Sequence, residues 1–360
     1  MVKKKRRYKR KFLEWLERRV PLVATLYYAF EGVYYVVSDY IYYLCLRAKN
    51  KNKEYQTYVF NSKMGEDGRS QLLYFMESRG VKGDKRCSVA VVYPFWKRLH
   101  NFVKFIDADV KIFYTGENLK RPSKSSASDH LLSVKTLDLA LGFELFENDR
   151  YLRFPLWLQY MFDFKRLGSE EYIRTRCQEL RYPNEGERRV RCALVASHDN
   201  NEFSSGDIGV RTHIHQTLSG VVEIDCAGRF MHNDDSLKRD FDDNKVKYLS
   251  QYIFNICPEN GNSYGYVTEK IFESISAGCI PIYWGSYNTP EADVLNHDAI
   301  LFFNRENPQM LVEKIKELIS DPEKMDEFIR RPRLREGAEE VIIAKFNELE
   351  SKLRRIVQSK

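Results

Sequence analysis

Apolar residues along this chain fall into two recurring patterns. The first is the short unbroken run: CSVAVVYPFW (87–96), VKIFYTG (110–116), LDLALGFEL (137–145), RCALVAS (191–197), VVEIDCAG (221–228), QYIFNIC (251–257) and CIPIYWG (279–285). Runs of this length, rich in β-branched and aromatic residues, predict strands buried on both faces. The second is the spaced pattern of a helix, found over 210–219, over 267–278 with Gly278 as its stop, and over 310–319. Near the C-terminus Ile342, Phe346, Leu349, Leu353 and Ile356 recur at intervals of four and three, a stripe expected to pack on the body. Strands alternating with helices predict an α/β protein with mostly parallel sheets, whose ligands bind beyond the carboxyl ends of the strands.

A chain of 360 residues exceeds what one core usually organises, so two domains are expected. The charged, turn-rich section 164–190 reads as the junction. That divides the chain into a basic tail plus helix (1–55), a first α/β domain (56–175), a second (176–335) and a C-terminal helix (336–360).

Charge changes the picture at one end only. The net charge is +7, yet residues 1–19 alone carry ten Lys/Arg against two Glu, a net +8. The remaining body is therefore near neutral, which argues against a nucleic-acid-binding protein. Residues 20–46 are long and apolar enough to suggest a span, but Glu31 and Asp39 lie within them and would be costly at a bilayer centre. Those two share a helix face with Tyr35, Ser38 and Tyr42; Leu22, Leu26, Val33, Val37 and Ile41 occupy the other. The expectation is an amphipathic helix on an anionic membrane surface, with residues 1–53 as the contact and Arg47, Lys49, Lys51 and Lys53 assisting. A helix packed on protein and a single-pass anchor are the alternatives. The seven cysteines form no CxxC, and Cys192, Cys226, Cys257 and Cys279 sit in or beside apolar runs, a pattern of free thiols in a reducing compartment. No cleavage pattern of a signal peptide is evident. Tyrosine is abundant, at 23 residues; most serve packing, but its flat face and hydroxyl also suit sugar or base stacking.

Candidate chemistry concentrates in ENGNSYGYVTEKIFESISAGCIPIYWGS (259–286). A strand ends at Cys257-Pro258, a loop of small and polar residues follows, and a helix opens near Thr268. Such a junction presents free N–H groups and the positive end of the helix dipole to an anion. Thr268 suits an N-cap whose hydroxyl accepts from an early helical N–H. Tyr266, Glu269 and Lys270 stand at i, i+3 and i+4, so they can converge on one ligand. The plainer reading leaves Lys270 solvated and Glu269 as a helix-start acid.

These residues resemble the α-1,3/4-fucosyltransferase family. Its pattern is similar to Glu259-Asn260, then Tyr266-Val267-Thr268-Glu269-Lys270, then Pro281-Ile282-Tyr283-Trp284-Gly285-Ser286. FYTGEN (113–118) and ALGFELFENDRYLRFPLW (140–157) resemble first-domain stretches of its bacterial members, and VRTHIHQTL (210–218) with VEIDCAGR (222–229) resembles its arginine helix and following strand. The resemblance covers roughly 85–300. It implies two Rossmann-like domains with a cleft between them (the GT-B type), and inverting transfer of L-fucose from GDP-fucose to a GlcNAc-type hydroxyl of an oligosaccharide or glycolipid. It implies Glu117 as the general base, Arg211 and Lys270 on the departing diphosphate, Asn260 and Tyr266 on the GDP moiety, and Glu269 on fucose or its cationic transition state. It implies no metal and no bound cofactor. With the free thiols, the bacterial-type stretches point to a cytoplasmic enzyme peripherally attached to the inner membrane. Pro258 departs from the family's aromatic before Glu-Asn, LFFNRENP (301–308) replaces its usual segment there, and nothing in 56–110 identifies the acceptor.

Other signals are weaker. Asp107-Ala108-Asp109 imitates a metal-binding DxD but reads as a solvated turn. His213 and His215 point apart on a helix and have no cysteine at ligand spacing. Ser197-His198-Asp199 cannot form a triad from adjacent residues. Transfer from another nucleotide sugar, and an idle glycan-binding protein, are the rival functions.

Overall fold

The computed structural model describes residues 19–50, 57–60, 71–81, 87–94, 103–119, 130–182, 186–199 and 209–360. The tail through Arg18, Lys51 and Lys53, and the side chains of Glu31, Asp39, Arg47 and Lys49, lie outside the described set. The chain runs from α1 (Pro21–Asn50) into β1 (Thr57–Phe60), α2 (Gln71–Ser78), β2 (Val89–Val92), β3 (Val110–Tyr114), β4 (Leu139–Gly142) and β5 (Tyr151–Arg153). These five strands form one parallel sheet in sequential order, β1-β2-β3-β4-β5. Helices α3 (Trp157–Met161) and α4 (Glu170–Arg181) lead to the second sheet.

The second unit comprises β6 (Arg189–Leu194), α5 (Val210–Leu218), β7 (Ile224–Cys226), α6 (Ser236–Arg239), α7 (Lys245–Leu249), β8 (Tyr252–Ile256), α8 (Glu269–Ser276), β9 (Ile280–Tyr283) and β10 (Leu301–Phe302). Its strands are also all parallel, in the order β10-β9-β8-β6-β7. The chain ends with α9 (Gln309–Ser320), α10 (Pro322–Arg330) and α11 (Ala338–Gln358). Every residue of β2, β3, β4, β8 and β9 is buried, as unbroken apolar runs require when helices cover both faces.

Three differences from the sequence pattern have physical causes. The strands are shorter than their apolar runs: of the described residues 87–94 only Val89–Val92 pair with β3, opposite Val110–Phe113. The short strands β1, β5 and β10 carry too few residues to register as a pattern. Section 164–190 is not simply turn-rich, because half of it is α4. Ser169 caps that helix through Tyr172 N, and Ile173, Cys177 and Leu180 form its buried stripe. That stripe is shared among so many charges that charge dominates the reading.

The C-terminal helix crosses back to the first sheet. Phe346 is fully buried there, with its ring centroid 5.4–6.0 Å from those of Phe75, Phe154, Phe162 and Phe164. Arg181 of α4 pairs with Glu339 of α11 and donates to Arg335 O at 2.9 Å. Helix α1 docks through Tyr43, whose buried hydroxyl donates to Asp107 O and accepts from Asp107 N, both at 3.0 Å. Leu22, Leu26, Phe30, Val33, Val37, Ile41 and Leu44 of the same helix are exposed. Among the described residues no helix is long and apolar enough to cross a membrane. Cys192, Cys226, Cys257 and Cys279 are buried free thiols.

Candidate active site

The second sheet reverses direction between β6 and β8. From β6 the chain first adds β7 on one side, then crosses to β8 on the other. The crevice beyond the carboxyl ends of β6 and β8 is thus the place where a doubly wound sheet receives a ligand. Both loops that border it carry candidate residues. Arg211, at the start of α5, donates from Nη1 to His198 O (2.8 Å) in the β6 loop and from Nη2 to Asn260 Oδ1 (3.0 Å) in the β8 loop. The guanidinium fork ties the two loops together across the reversal.

Arg211 is aimed by its own helix terminus. Asp199 accepts from Arg211 N (3.1 Å) and Thr212 N (3.2 Å), and also from the Thr212 hydroxyl. A carboxylate satisfies orphan N–H groups and complements the helix dipole at once. It fits because residue 209 is glycine: a Cβ there would stand 2.1 Å from the Asp199 carboxyl carbon.

Helix α8 repeats the arrangement and corrects the expected role of Thr268. Thr268 is the residue before the helix, but its hydroxyl caps nothing. Instead Glu259, completely buried, accepts from Thr268 N and from the Thr268 hydroxyl, each at 2.7 Å. An ionised carboxylate outcompetes a hydroxyl as acceptor at a helix start. The same carboxylate holds Lys270, whose Nζ donates to Glu259 Oε2 (3.1 Å) and Thr268 Oγ1 (2.8 Å). Lys270 is therefore neither solvated nor repelled by the dipole, since the buried Glu259 offsets both penalties. Burial pulls the Lys270 ammonium down, but Glu259 and Glu269 outweigh it and hold it above the ordinary lysine value, while nearby Arg211 works in the opposite sense. Burial pushes the Glu269 carboxyl up, but Lys270 and then Lys245 outweigh it and hold it below the ordinary value. Both groups are ionised at neutral pH. Both helix N-termini are occupied by internal carboxylates, so the charge offered to an anion comes from the two cations they position.

The first domain brings the turn that carries Glu117 against the β8 loop. The Thr115 hydroxyl accepts from Glu117 N (3.0 Å) and donates to Glu117 O (3.1 Å), which shapes the turn after β3. Gly116 admits Leu156, whose side chain would lie 2.7 Å from a Cβ at that position. Asn118 Nδ2 donates to Ser263 Oγ at 2.9 Å, joining this turn to the β8 loop. Glu117 Oε2 is buried and meets no hydrogen-bond donor among the described residues. Burial pushes the Tyr160 hydroxyl up, Glu269, Glu273 and, least, Glu117 add to the effect, and Lys270 opposes it. Helix α3, which carries Tyr160, stacks Trp157 on Phe272 of α8 at 4.2 Å.

Further contacts close the junction. Arg153, at the end of β5, pairs with buried Glu291 and donates to Gly265 O at 3.1 Å. Tyr266 is 2% exposed, with its ring 4.7 Å from Phe143 of the first domain. It thus belongs to the packed floor of the β8 loop. A cavity of about 600 Å³ opens beyond β6 and β7, lined in part by Val195, Ser197, Gly228, Arg229, His232 and Lys245. It is larger than the shallow hollows on α11 (about 480 Å³) and α10 (about 520 Å³). His232 donates from Nε2 to Asp235 Oδ1 and from Nδ1 to Gly228 O, both at 2.9 Å, and the bond to Asp235, then that to Gly228, raises its pKa.

Sequence reasoning missed Glu259 and Asp199 as positioning groups. The Glu-Asn pair marked the first, but its bond to Lys270 exists only in three dimensions. Asp109 is a turn residue, accepting from Ser88 N (2.7 Å) and the Ser88 hydroxyl (2.6 Å). His213 packs edge-on against Phe303. Among the described residues, no group of three potential metal ligands is present.

Two Rossmann-like units meeting at a cation-lined crevice define a GT-B fold, the architecture of nucleotide-sugar transferases. Residues 186–333 match the family model "glycosyltransferase family 10 (fucosyltransferase) C-term". Residues 86–160 match "alpha-(1,3)-fucosyltransferase FucT N-terminal domain". Together the two matches take in more than half of the chain, and the chain belongs to the glycosyltransferase family 10 fucosyltransferases. It is 30% identical over 201 residues to alpha-(1,3)-fucosyltransferase FucT of Helicobacter pylori, covering 49% of this chain and 37% of that one. It is 30% identical over 193 residues to alpha-(1,3)-fucosyltransferase B of Drosophila melanogaster, covering 51% and 41%. These matches span well under two thirds of either relative. A solved alpha1,3-fucosyltransferase shares the fold, with a TM-score of 0.53 and 21% identity over 84% of this chain and 91% of that one.

Proposed function

We propose that this protein transfers L-fucose from GDP-fucose to a hydroxyl of a glycan acceptor with inversion, as an α-1,3-fucosyltransferase. The observation that carries the reading is Glu117, half-buried with one carboxylate oxygen buried and without a donor among the described residues, on a turn bonded through Asn118 to the loop that leads to Glu269 and Lys270. A buried carboxylate oxygen without a donor is costly, and an incoming hydroxyl supplies the missing donor. The acceptor oxygen attacks the fucose anomeric carbon and its proton passes to Glu117. The bond from that carbon to the diphosphate oxygen breaks on the opposite side, and GDP departs with the electron pair. Arg211 and Lys270 balance the charge growing on the diphosphate, and Glu269 faces the developing cationic sugar. The cavity beside Gly228 and His232 takes the nucleoside end; Ser197 lines it, and the next residue, His198, accepts from Arg211. Two fixed protein cations on the diphosphate support a reaction that does without metal.

We further place the protein at the cytoplasmic face of a bacterial inner membrane. The exposed apolar stripe of α1 beside the basic segment 1–19 supports this location. Association is expected with anionic vesicles and not with zwitterionic ones, and equal binding to both would remove the electrostatic part of the reading.

The direct test incubates the protein with GDP-fucose and N-acetyllactosamine, with and without chelator, and follows GDP release and product mass. Transfer that survives chelator and fails in Glu117→Gln supports donor, mechanism and base together. Absence of both donor binding and transfer overturns the proposal, and turnover of GDP-mannose or a UDP-sugar in its place would promote another donor.

A further inference from the structure

Tyr264 and Tyr287 form an exposed stacked pair beside the crevice. Their ring centroids lie 4.2 Å apart with an interplanar angle of 30°, and they are 62% and 52% exposed. Tyr264 belongs to the loop after β8 and Tyr287 to the turn after β9, so the pair stands at the carboxyl edge of the second sheet. Ser263, next to Tyr264, is the residue bonded to Asn118, which adjoins Glu117.

The turn that presents Tyr287 is strained. Ser286, Tyr287 and Asn288 take φ values of 48°, 50° and 57°, three consecutive left-handed residues of which none is glycine. Bonds to the neighbouring loops anchor them, among them Tyr287 N to Asn262 Oδ1 (2.6 Å), Gly265 N to Ser286 Oγ (3.1 Å) and Asn288 Nδ2 to Phe303 O (3.1 Å). Strain held in place by surrounding bonds concentrates where function requires a shape. Here the shape it maintains is a flat aromatic surface turned toward water.

We propose that the Tyr264–Tyr287 pair is the platform on which a ring of the acceptor glycan packs while its hydroxyl reaches Glu117. This inference rests on the transferase reading above. The cavity assigned to the nucleoside opens beyond β6 and β7, whereas the tyrosine pair lies beyond β8 and β9, on the side of the Asn118–Ser263 bond. The apolar face of a sugar ring fits an aromatic plane, and an exposed tyrosine pair offers that plane with little ordering cost.

The test measures acceptor KM for N-acetyllactosamine and donor KM for GDP-fucose in Tyr264→Ala, Tyr264→Phe, Tyr287→Phe and Tyr287→Gly. The Ala and Gly variants are expected to raise acceptor KM about 5- to 10-fold, the scale of one lost aromatic contact, with donor KM unchanged. Both Phe variants retain the wild-type value. Tyr287→Gly separates the platform from a structural role, because glycine relieves the left-handed strain: its thermal midpoint holds or rises while acceptor KM climbs. Active protein with unchanged acceptor KM in both truncated variants overturns the platform alone. Wild-type protein that neither binds GDP-fucose nor transfers fucose removes the underlying reading.

Discussion

The two sides of the crevice handle buried charge in opposite ways. In the second domain every candidate ionic group is already partnered. Asp199 holds the start of the Arg211 helix, Glu259 holds Lys270, and Asn260 takes the Arg211 fork. In the first domain the Glu117 carboxylate keeps a buried oxygen without a donor among the described residues. The difference separates two tasks. A site for a multiply charged leaving group needs cations fixed beforehand, since a preorganised charge costs no reorganisation as the bond breaks. A general base needs a free lone pair aimed at a proton still to arrive.

The sharpest way to break this contrast is at Glu117. Glu117→Gln is expected to lower kcat about 10²- to 10⁴-fold, the usual range for lost general-base catalysis, with GDP affinity by calorimetry unchanged. A fall in GDP affinity of similar size would place Glu117 on the donor side instead. Next comes Glu259→Gln, which strips a buried ion pair of one charge. It should cost about 3–5 kcal/mol of folding stability, read by urea unfolding, and weaken GDP binding as well. An unaffected midpoint would mean that Glu269 alone can hold Lys270.

Gly209→Ala tests the other capped helix. The added methyl would displace the Asp199 carboxylate, so a loss of about 0.5–2 kcal/mol is expected, the value of a helix cap, together with poorer GDP binding as Arg211 loses its aim. The smallest effect is the pH dependence. Glu269 sits below its ordinary 4.5, so its stabilisation is complete above that pH and is lost as pH falls through the lowered value. Lys270 sits above its ordinary 10.5, so its contribution is complete below that pH and is lost as pH rises through the raised value. The difference in thermal midpoint between wild type and Glu269→Gln should therefore be flat from pH 5 to 10, two round limits set about half a unit inside those values. A difference that vanished near pH 7 would contradict the ionised pair.

Much of this contrast was visible before folding. The runs VKIFYTG and QYIFNIC place Glu117 and the Glu259 loop just past strand ends, and Tyr266, Glu269 and Lys270 share a local spacing. Helix α4 was obscured because Ile173, Cys177 and Leu180 are separated by charged residues. Thr268 was misjudged because its spacing to the helix is right for a cap, while the acceptor that displaces it stands nine residues away in sequence.

By itself the sequence determined the α/β class, the parallel strands, the family and the residue types of the crevice, because local periodicity and short motifs encode them. Only the tertiary structure decided which carboxylate holds which cation, that the last helix returns to the first sheet, and that Tyr264 and Tyr287 stack. Those outcomes depend on strand order and on contacts between distant segments. Residues 153 and 291, or 79 and 350, carry no mutual signal until the sheets and helices bring them within bonding distance.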